Sequence, residues 1–321
     1  EYRYWAIEAL FRVRSTSLGS LLARFLSTPN IPSIHSFVSY PDKTDPQYIV
    51  KGNENLTMGR SNTLVAWYWR NFVQDGEKGK LTRTLSAHLL YSRQQNDVAN
   101  FTTYNRKTGV VTIQPVNVSG NWNGKVNIGF TSPLDLAQHF WLETEVEASI
   151  LRTKTFSGTE SLGNIVPQIN DNRFLSYKGS VKPRLKLGTT DFTMSYDLIL
   201  EDNHSTYFSA NNKKQWQHLI GGKLNTLLPF DINFEANCRY HNYSGYLANK
   251  REHWVMLDFE LGKSLLKKKN LFVGLSIHDF LNQNNGFFQQ YNATEFTQSH
   301  HRMLGRYGML TLKYSFSSQK K

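Results

Sequence analysis

Hydrophobic and polar residues alternate with a period of two over long stretches of this chain, which puts them on opposite faces of extended strands and not along one stripe of a helix. From Asp231 to His241 the apolar set Ile232, Phe234, Ala236, Cys238 and Tyr240 opposes Asn233, Glu235, Asn237, Arg239 and His241. From Asp191 to Glu201, Phe192, Met194, Tyr196, Leu198 and Leu200 oppose Thr193, Ser195, Asp197 and Glu201, with Ile199 the exception. From Leu175 to Leu187, Leu175, Tyr177, Val181, Leu185 and Leu187 oppose Ser176, Lys178, Ser180, Lys182, Arg184 and Lys186. The pattern recurs over residues 5–13, 81–91, 122–130, 140–150, 216–228, 255–261, 271–277 and 310–316, and less regularly over 21–26 and 63–72. It predicts about thirteen strands, most about 9 to 13 residues long, enough to cross a bilayer when tilted. Strands of globular domains are nearer 5 or 6 residues.

The connections alternate in length. Residues 15–18, 73–80, 132–139, 188–190, the turn at Pro229 and residues 264–270 are short; residues 28–60, 92–121, 152–174, 202–215, 242–251 and 282–305 form the longer set. Transmembrane barrels of the outer-membrane type have short periplasmic turns and longer external loops, so a periplasmic C-terminus places every long connection outside. Trp5, Trp122, Trp216 and Trp254 then fall at external strand ends, and Phe130, Phe140, Phe192, Phe234 and Phe316 at the opposite ends, as two aromatic girdles would require. Trp254 dissents, having the polar parity of its strand. Pro183 sits in mid-strand without an amide donor and calls for a bulge or an edge. The first strand runs inwards and the count is odd, whereas single-chain bacterial barrels have an even number. The expectation is an all-β, antiparallel up-and-down transmembrane barrel occupying residues 1–321 as a single domain. It would be N-terminally incomplete, with its first strands and any plug absent.

Composition narrows the setting. No run of about 18 apolar residues occurs, so a transmembrane helix is not expected. A barrel hides its apolar face by alternation and reads as aromatic-rich and Asn/Ser/Thr-rich, in keeping with 20 Phe, 16 Tyr and 7 Trp. The net charge of +12 is dispersed apart from Lys267-Lys268-Lys269 and Lys320-Lys321, so nucleic acid is not an expected partner. The single cysteine, Cys238, excludes an intramolecular disulfide and a multi-cysteine metal site and is read as packing. The bacterial outer membrane is the expected location, with outer-membrane lipid and lipopolysaccharide as surroundings.

Three stretches carry a family resemblance. Thr28-Pro29-Asn30-Ile31-Pro32-Ser33, then Thr44-Asp45-Pro46 and Gly52-Asn53-Glu54-Asn55-Leu56, form an external segment before a strand. Asp279-Phe280-Leu281-Asn282-Gln283-Asn284 ends a strand, and the run from Leu304-Gly305-Arg306-Tyr307 to Tyr314-Ser315-Phe316 closes the chain. Together they resemble, in order and spacing, the outer-membrane barrel family related to TonB-dependent receptors. The resemblance implies a barrel of about 22 strands, of which this chain is the C-terminal portion, with a plug domain and an energy-coupling segment in the parent protein. The function implied is that of a receptor or transporter for a nutrient too large for porins, with a plug domain and an extracellular ligand or surface lipoprotein as partners. The alternative is a structural or adhesive barrel whose external loops bind a partner protein or glycan.

Enzyme chemistry is not indicated. His241 and His253 have opposite parities on adjacent strands, His300-His301 lies in a long external connection, and Ser244 near His241 is the one pair suggestive of a hydrolase. No phosphate-binding loop or dinucleotide fingerprint occurs. Catalytic residues, cofactors and metal ligands are therefore all expected to be none. The polar parity is more informative. Glu143, Glu145, Glu147, Lys178, Lys182, Arg184, Lys186, Asp197, Glu235 and Arg239 are expected to face the lumen. Opposed charges across a ladder also suggest a register: Glu147 opposite Lys182, Glu145 opposite Arg184, Glu143 opposite Lys186, and Asp197 on the other side of Lys182.

Overall fold

The computed structural model describes residues 5–76, 79–161, 164–207, 209, 212–245, 251–266, 269–284, 286–291 and 296–316. Glu1 to Tyr4, Lys267, Lys268, Lys320 and Lys321 lie outside the described residues. In chain order the strands are β1 (Ile7–Ser15), β2 (Gly19–Asn30), β3 (Asp42–Asp45), β4 (Tyr48–Val50), β5 (Gly59–Gly76), β6 (Gly79–Gln95), β7 (Asp97–Asn105), β8 (Val111–Val118), β9 (Asn121–Pro133) and β10 (Phe140–Ser161). They continue with β11 (Asn164–Leu187), β12 (Thr190–Ser205), β13 (Lys213–Leu228), β14 (Ile232–Ser244), β15 (Arg251–Leu265), β16 (Leu271–His278), β17 (Phe287–Tyr291), β18 (Phe296–His300) and β19 (Tyr307–Tyr314). The longest described helix is a single turn, Ile34–Phe37.

Antiparallel pairing runs without interruption through β1, β2, β5, β6, β9, β10, β11, β12, β13, β14, β15, β16 and β19. Each of these strands contains or overlaps one predicted from alternation. The sheet is an up-and-down meander, and it is open: among the described residues no pairing joins β1 to β19. Strands β3, β4, β7 and β8 complete the 17-stranded sheet, and β17 with β18 forms a separate hairpin.

Every register keeps the apolar sets on one face. One row across the sheet reads Ala87, Ile128, Val146, Gly179, Leu198; a lower one reads Phe140, Leu185, Phe192, Leu224, Ala236, Phe259, Ile277. This face is uncovered: Val146 is 62 % exposed, Leu275 54 % and Leu312 68 %. An unpartnered apolar sheet face of this extent needs an apolar surrounding. Along β10 the stripe lasts from Phe140 to Ile150, about eleven residues, the length with which a tilted strand crosses a bilayer. Cys238 lies on this face, exposed, between Gly222 and Leu257.

Two expectations are corrected. Residues 152–174 are not a loop, because β10 and β11 run on as paired strands until Ser161 meets Asn164. Beyond the apolar stripe polar residues occupy both faces and the apolar ones, Phe156, Ile165, Val166 and Ile169, follow no alternation, so the signal vanishes while the ladder continues. Residues 92–121 and 28–60 likewise hold β7 with β8 and β3 with β4. Pro183 also makes neither a bulge nor an edge. The β11–β12 ladder skips Lys182 and Pro183 and resumes in the same register at Arg184, while Leu142 still faces Pro183 on the other side.

Candidate functional site

The second face of the sheet carries the charges that the sequence singled out. Glu147 lies opposite Lys178, with Lys125 Nζ at 2.8 Å from its carboxylate and Asn127 Nδ2 donating to it at 3.4 Å. Asn127 also donates to Glu145. Lys178 reaches Asp197 at 3.7 Å, and Lys182 reaches Glu143 at 3.4 Å. Arg184 makes a two-pronged contact with Asp191, its Nε at 2.8 Å from Oδ1, and Lys186 faces Asp191 across the ladder. Glu235 pairs with Lys223 at 2.9 Å and Arg239 with Asp258 at 3.0 Å. All ten predicted residues therefore share one face, and most are joined in a lattice of ion pairs spanning β9 to β15.

The predicted register is wrong by four positions between β10 and β11 and by two between β11 and β12. Lys182 faces Glu143, not Glu147, and Asp197 faces Ser180 and pairs with Lys178, so Lys182 is not held between two carboxylates. Arg184 faces Trp141 and Glu145 faces Ser180. A slip of an even number of residues leaves every side chain on its own face, so parity survives the error. Alternation in the neighbouring strands would have found the missed members Lys125, Asp191, Lys223 and Asp258, which have the same polar parity.

The polar face also carries aromatic rings. His241 and Trp254, directly opposed, have ring centroids 5.0 Å apart, and Tyr243 lies 5.3 Å from Trp254 within 6° of parallel. Trp67 with His88 and His278 with Tyr307 are further opposed, stacked pairs. The parity of Trp254 thus places it in a stack instead of a girdle. His253 faces Asn242 on the other side of the sheet from His241, and Ser244 shares that far side, its hydroxyl donating to the Trp216 carbonyl at 3.4 Å. His301 Nε2 is 3.2 Å from the Ser299 hydroxyl; the side chain of His300 lies outside what is described. Among the described residues, no three of His, Cys, Asp and Glu converge as metal ligands would.

Above the apolar stripe the strands build a second site. β7 lies parallel against the upper part of β10, with Phe101 facing Phe156, and β8 pairs with β7 on one side and β4 on the other. Residues of β4, β7, β8 and β10, with Tyr207, line a cleft of about 780 Å³, among them Tyr48, Tyr104, Asn100, Thr102, Lys154 and Phe156. Amide side chains tie this upper end together. Asn170, fully buried, accepts from the Ser205 hydroxyl at 2.8 Å and the Tyr207 amide at 2.8 Å, and donates to Asn172 at 2.9 Å. Asn117 clasps Thr57, accepting from its amide at 2.8 Å and donating to its carbonyl at 2.9 Å.

The motif residues hold this upper end together. Gly52 passes so close to Val38 that a Cβ would lie 2.2 Å from its carbonyl oxygen, and the Asn53 side chain donates to the Pro115 carbonyl at 2.9 Å. Asp279, 3 % exposed, accepts from the amides of Gln283 and Asn284, both at 3.0 Å, and folds the chain over at the top of β16. Asn282 Oδ1 then accepts from the Arg306 amide at 2.9 Å, at the start of β19.

Comparison with known proteins agrees with this architecture: the outer membrane protein beta-barrel family matches residues 23–314. The chain belongs to that family. Membership places this beta-barrel chain in the bacterial outer membrane, and the uncovered apolar face is its lipid-facing wall. No curated protein and no solved structure matches the chain.

Proposed function

We propose that this beta-barrel chain is the wall of a receptor or transporter, related to TonB-dependent receptors, for a nutrient too large to diffuse through porins. The upper end of the sheet is external, and the polar face lines the lumen. The observation that carries the reading is the extension of β10 and β11 above the apolar stripe. The two strands continue some eleven residues past the apolar stripe and help line an aromatic and polar cleft outside the lipid. Ligand sites are concave and combine aromatic walls with a few placed polar groups, and binding residues gather where a rigid scaffold presents them. Below the cleft, the ion-paired face offers a hydrated surface to a plug domain or a passing solute. The sheet is open, and a membrane sheet with bare edges would leave backbone groups unsatisfied in lipid. Further strands therefore complete the wall, towards about 22 in total.

Disruption of the gene, complemented with wild-type protein or with a Tyr104→Ala, Phe156→Ala, Lys154→Ala triple variant, tests this reading. Loss of growth on one class of oligomeric nutrient, restored by wild type and not by the triple variant, is the expected result. Normal growth on every nutrient, with loss only of attachment to a protein or glycan surface, would instead establish the structural or adhesive reading.

A further inference from the structure

We infer that the upper rim of the lipid-facing wall is a binding site for the phosphate-bearing headgroup of lipopolysaccharide. The row of residues directly above the apolar stripe, on that same face, reads Arg93, Trp122, Arg152, Arg173 and His204 on β6, β9, β10, β11 and β12. Neighbouring strands lie about 4.8 Å apart, so the three arginines span about 14 Å. Arg93, Arg152 and Arg173 are exposed. Among the described residues neither Arg93 nor Arg173 has an ion-pair partner. Arg152 is gripped by both oxygens of Asp171, which fixes its guanidinium at the centre of the row, and Lys154 stands one row higher opposite Asp171. The patch thus presents four cations against two carboxylates, Asp171 and, beside Leu175 one row below His204, Asp202, which Lys214 approaches at 3.9 Å.

The rim also selects for an amphiphile. One row below the arginines lie Tyr91, Gly124, Ile150 and Leu175, and below them Leu89, Val126, Ala148 and Tyr177. The Trp122 ring leans over Gly124, where a Cβ would be 3.7 Å from its Cζ3, and sits 6.1 Å from the Tyr91 ring. A molecule touching the arginines therefore continues down an apolar wall with an interfacial tryptophan at its entrance. Guanidinium forks match phosphate oxygens two at a time, whereas the zwitterionic headgroup of a phospholipid would bring its own cation into the same patch. The outer leaflet of this membrane supplies a phosphorylated, acylated saccharide at that depth. The inference rests on the sidedness proposed above.

Purified full-length protein in detergent, titrated with lipopolysaccharide and with the same material after phosphatase treatment, tests the site by native mass spectrometry. We expect wild type to retain the phosphorylated lipid, and Arg93→Gln with Arg173→Gln to weaken retention by about tenfold or more, since two charge-assisted phosphate contacts are lost. Dephosphorylated lipid should bind wild type no better than the phosphorylated lipid binds the variant. Equal retention of both lipids by wild type, or an unaffected double variant that still shows the heat-modifiable folded form, would overturn the site. Displacement by millimolar inorganic phosphate alone would also overturn it, by showing a free-anion site. An epitope inserted between Ser161 and Asn164 and probed on intact cells reports sidedness separately: an inaccessible epitope defeats the orientation, whatever the lipid result.

Discussion

The lower and upper halves of the β10–β11 hairpin use one backbone ladder for two solvents. In the lower half, one face shows Val146, Ile150, Tyr177 and Val181, and the other pairs Glu143 with Lys182 and sets Glu147 opposite Lys178. In the upper half, the face that was apolar carries Arg152, Lys154, Asp171 and Arg173, while the opposite parity buries Asn170 and Asn172 in an amide network. The strand geometry does not change at the crossing; the medium does. Hydrocarbon accepts no polar group on the outer face, whereas water above it accepts a charged belt, and there β7 joins the edge of β10 as a further strand of the sheet. Alternation of hydrophobicity is therefore a record of the membrane and not of the strand.

The sharpest way to break this comparison is to move a charge across the boundary. Leu198→Arg, in the middle of the lipid-facing wall, should cost about 2–4 kcal/mol and deplete the heat-modifiable folded form, while Asn237→Arg on the polar face leaves it intact. Equal losses would remove the two-faced assignment. A smaller effect is expected in the upper half. Asn170→Leu deprives the Tyr207 amide and the Ser205 hydroxyl of their shared acceptor, at about 1–3 kcal/mol. It should raise protease cutting around Tyr207 without altering membrane assembly.

The ion pairs should matter less still, because they are substantially exposed. A double-mutant cycle on Glu143 and Lys182 should give a coupling of about 0.2–1 kcal/mol, and one on Glu147 and Lys182 should give none; the reverse order would restore the register that the sequence suggested. The smallest effect is one of pH. Arg152 hydrogen-bonded to Asp171 above the lipid holds that carboxyl below its ordinary value of 3.8. A depressed acid stabilises the folded state above its unfolded pKa and loses that contribution as pH falls through the folded one. Hydrogen-exchange protection of the upper hairpin should therefore decline below about pH 4, and Asp171→Asn should abolish that dependence.

The division of labour between sequence and structure follows from range. Which face each residue of Phe192–Leu200 or Ile232–Tyr240 occupies is a local matter, since side chains alternate whatever the neighbours do, and the sequence alone determined it for the strands that alternate regularly. The order of those strands was legible too, because a meander pairs consecutive segments. The register was not. Any two-residue slip between β10 and β11 keeps Glu143, Glu145 and Glu147 on the face of Lys178 and Lys182 and still opposes some acids to some bases, so charge matching admits several answers of similar energy. The structure decides among them through the further pairs from Leu151 opposite Phe174 up to Ser161 opposite Asn164, where no lipid imposes a pattern that could be read. The cleft and the arginine rim belong to the same class. Arg93, Trp122, Arg152 and Arg173 stand far apart in the chain and share no local signal, and only the summed registers of β6, β9, β10 and β11 bring them into one row.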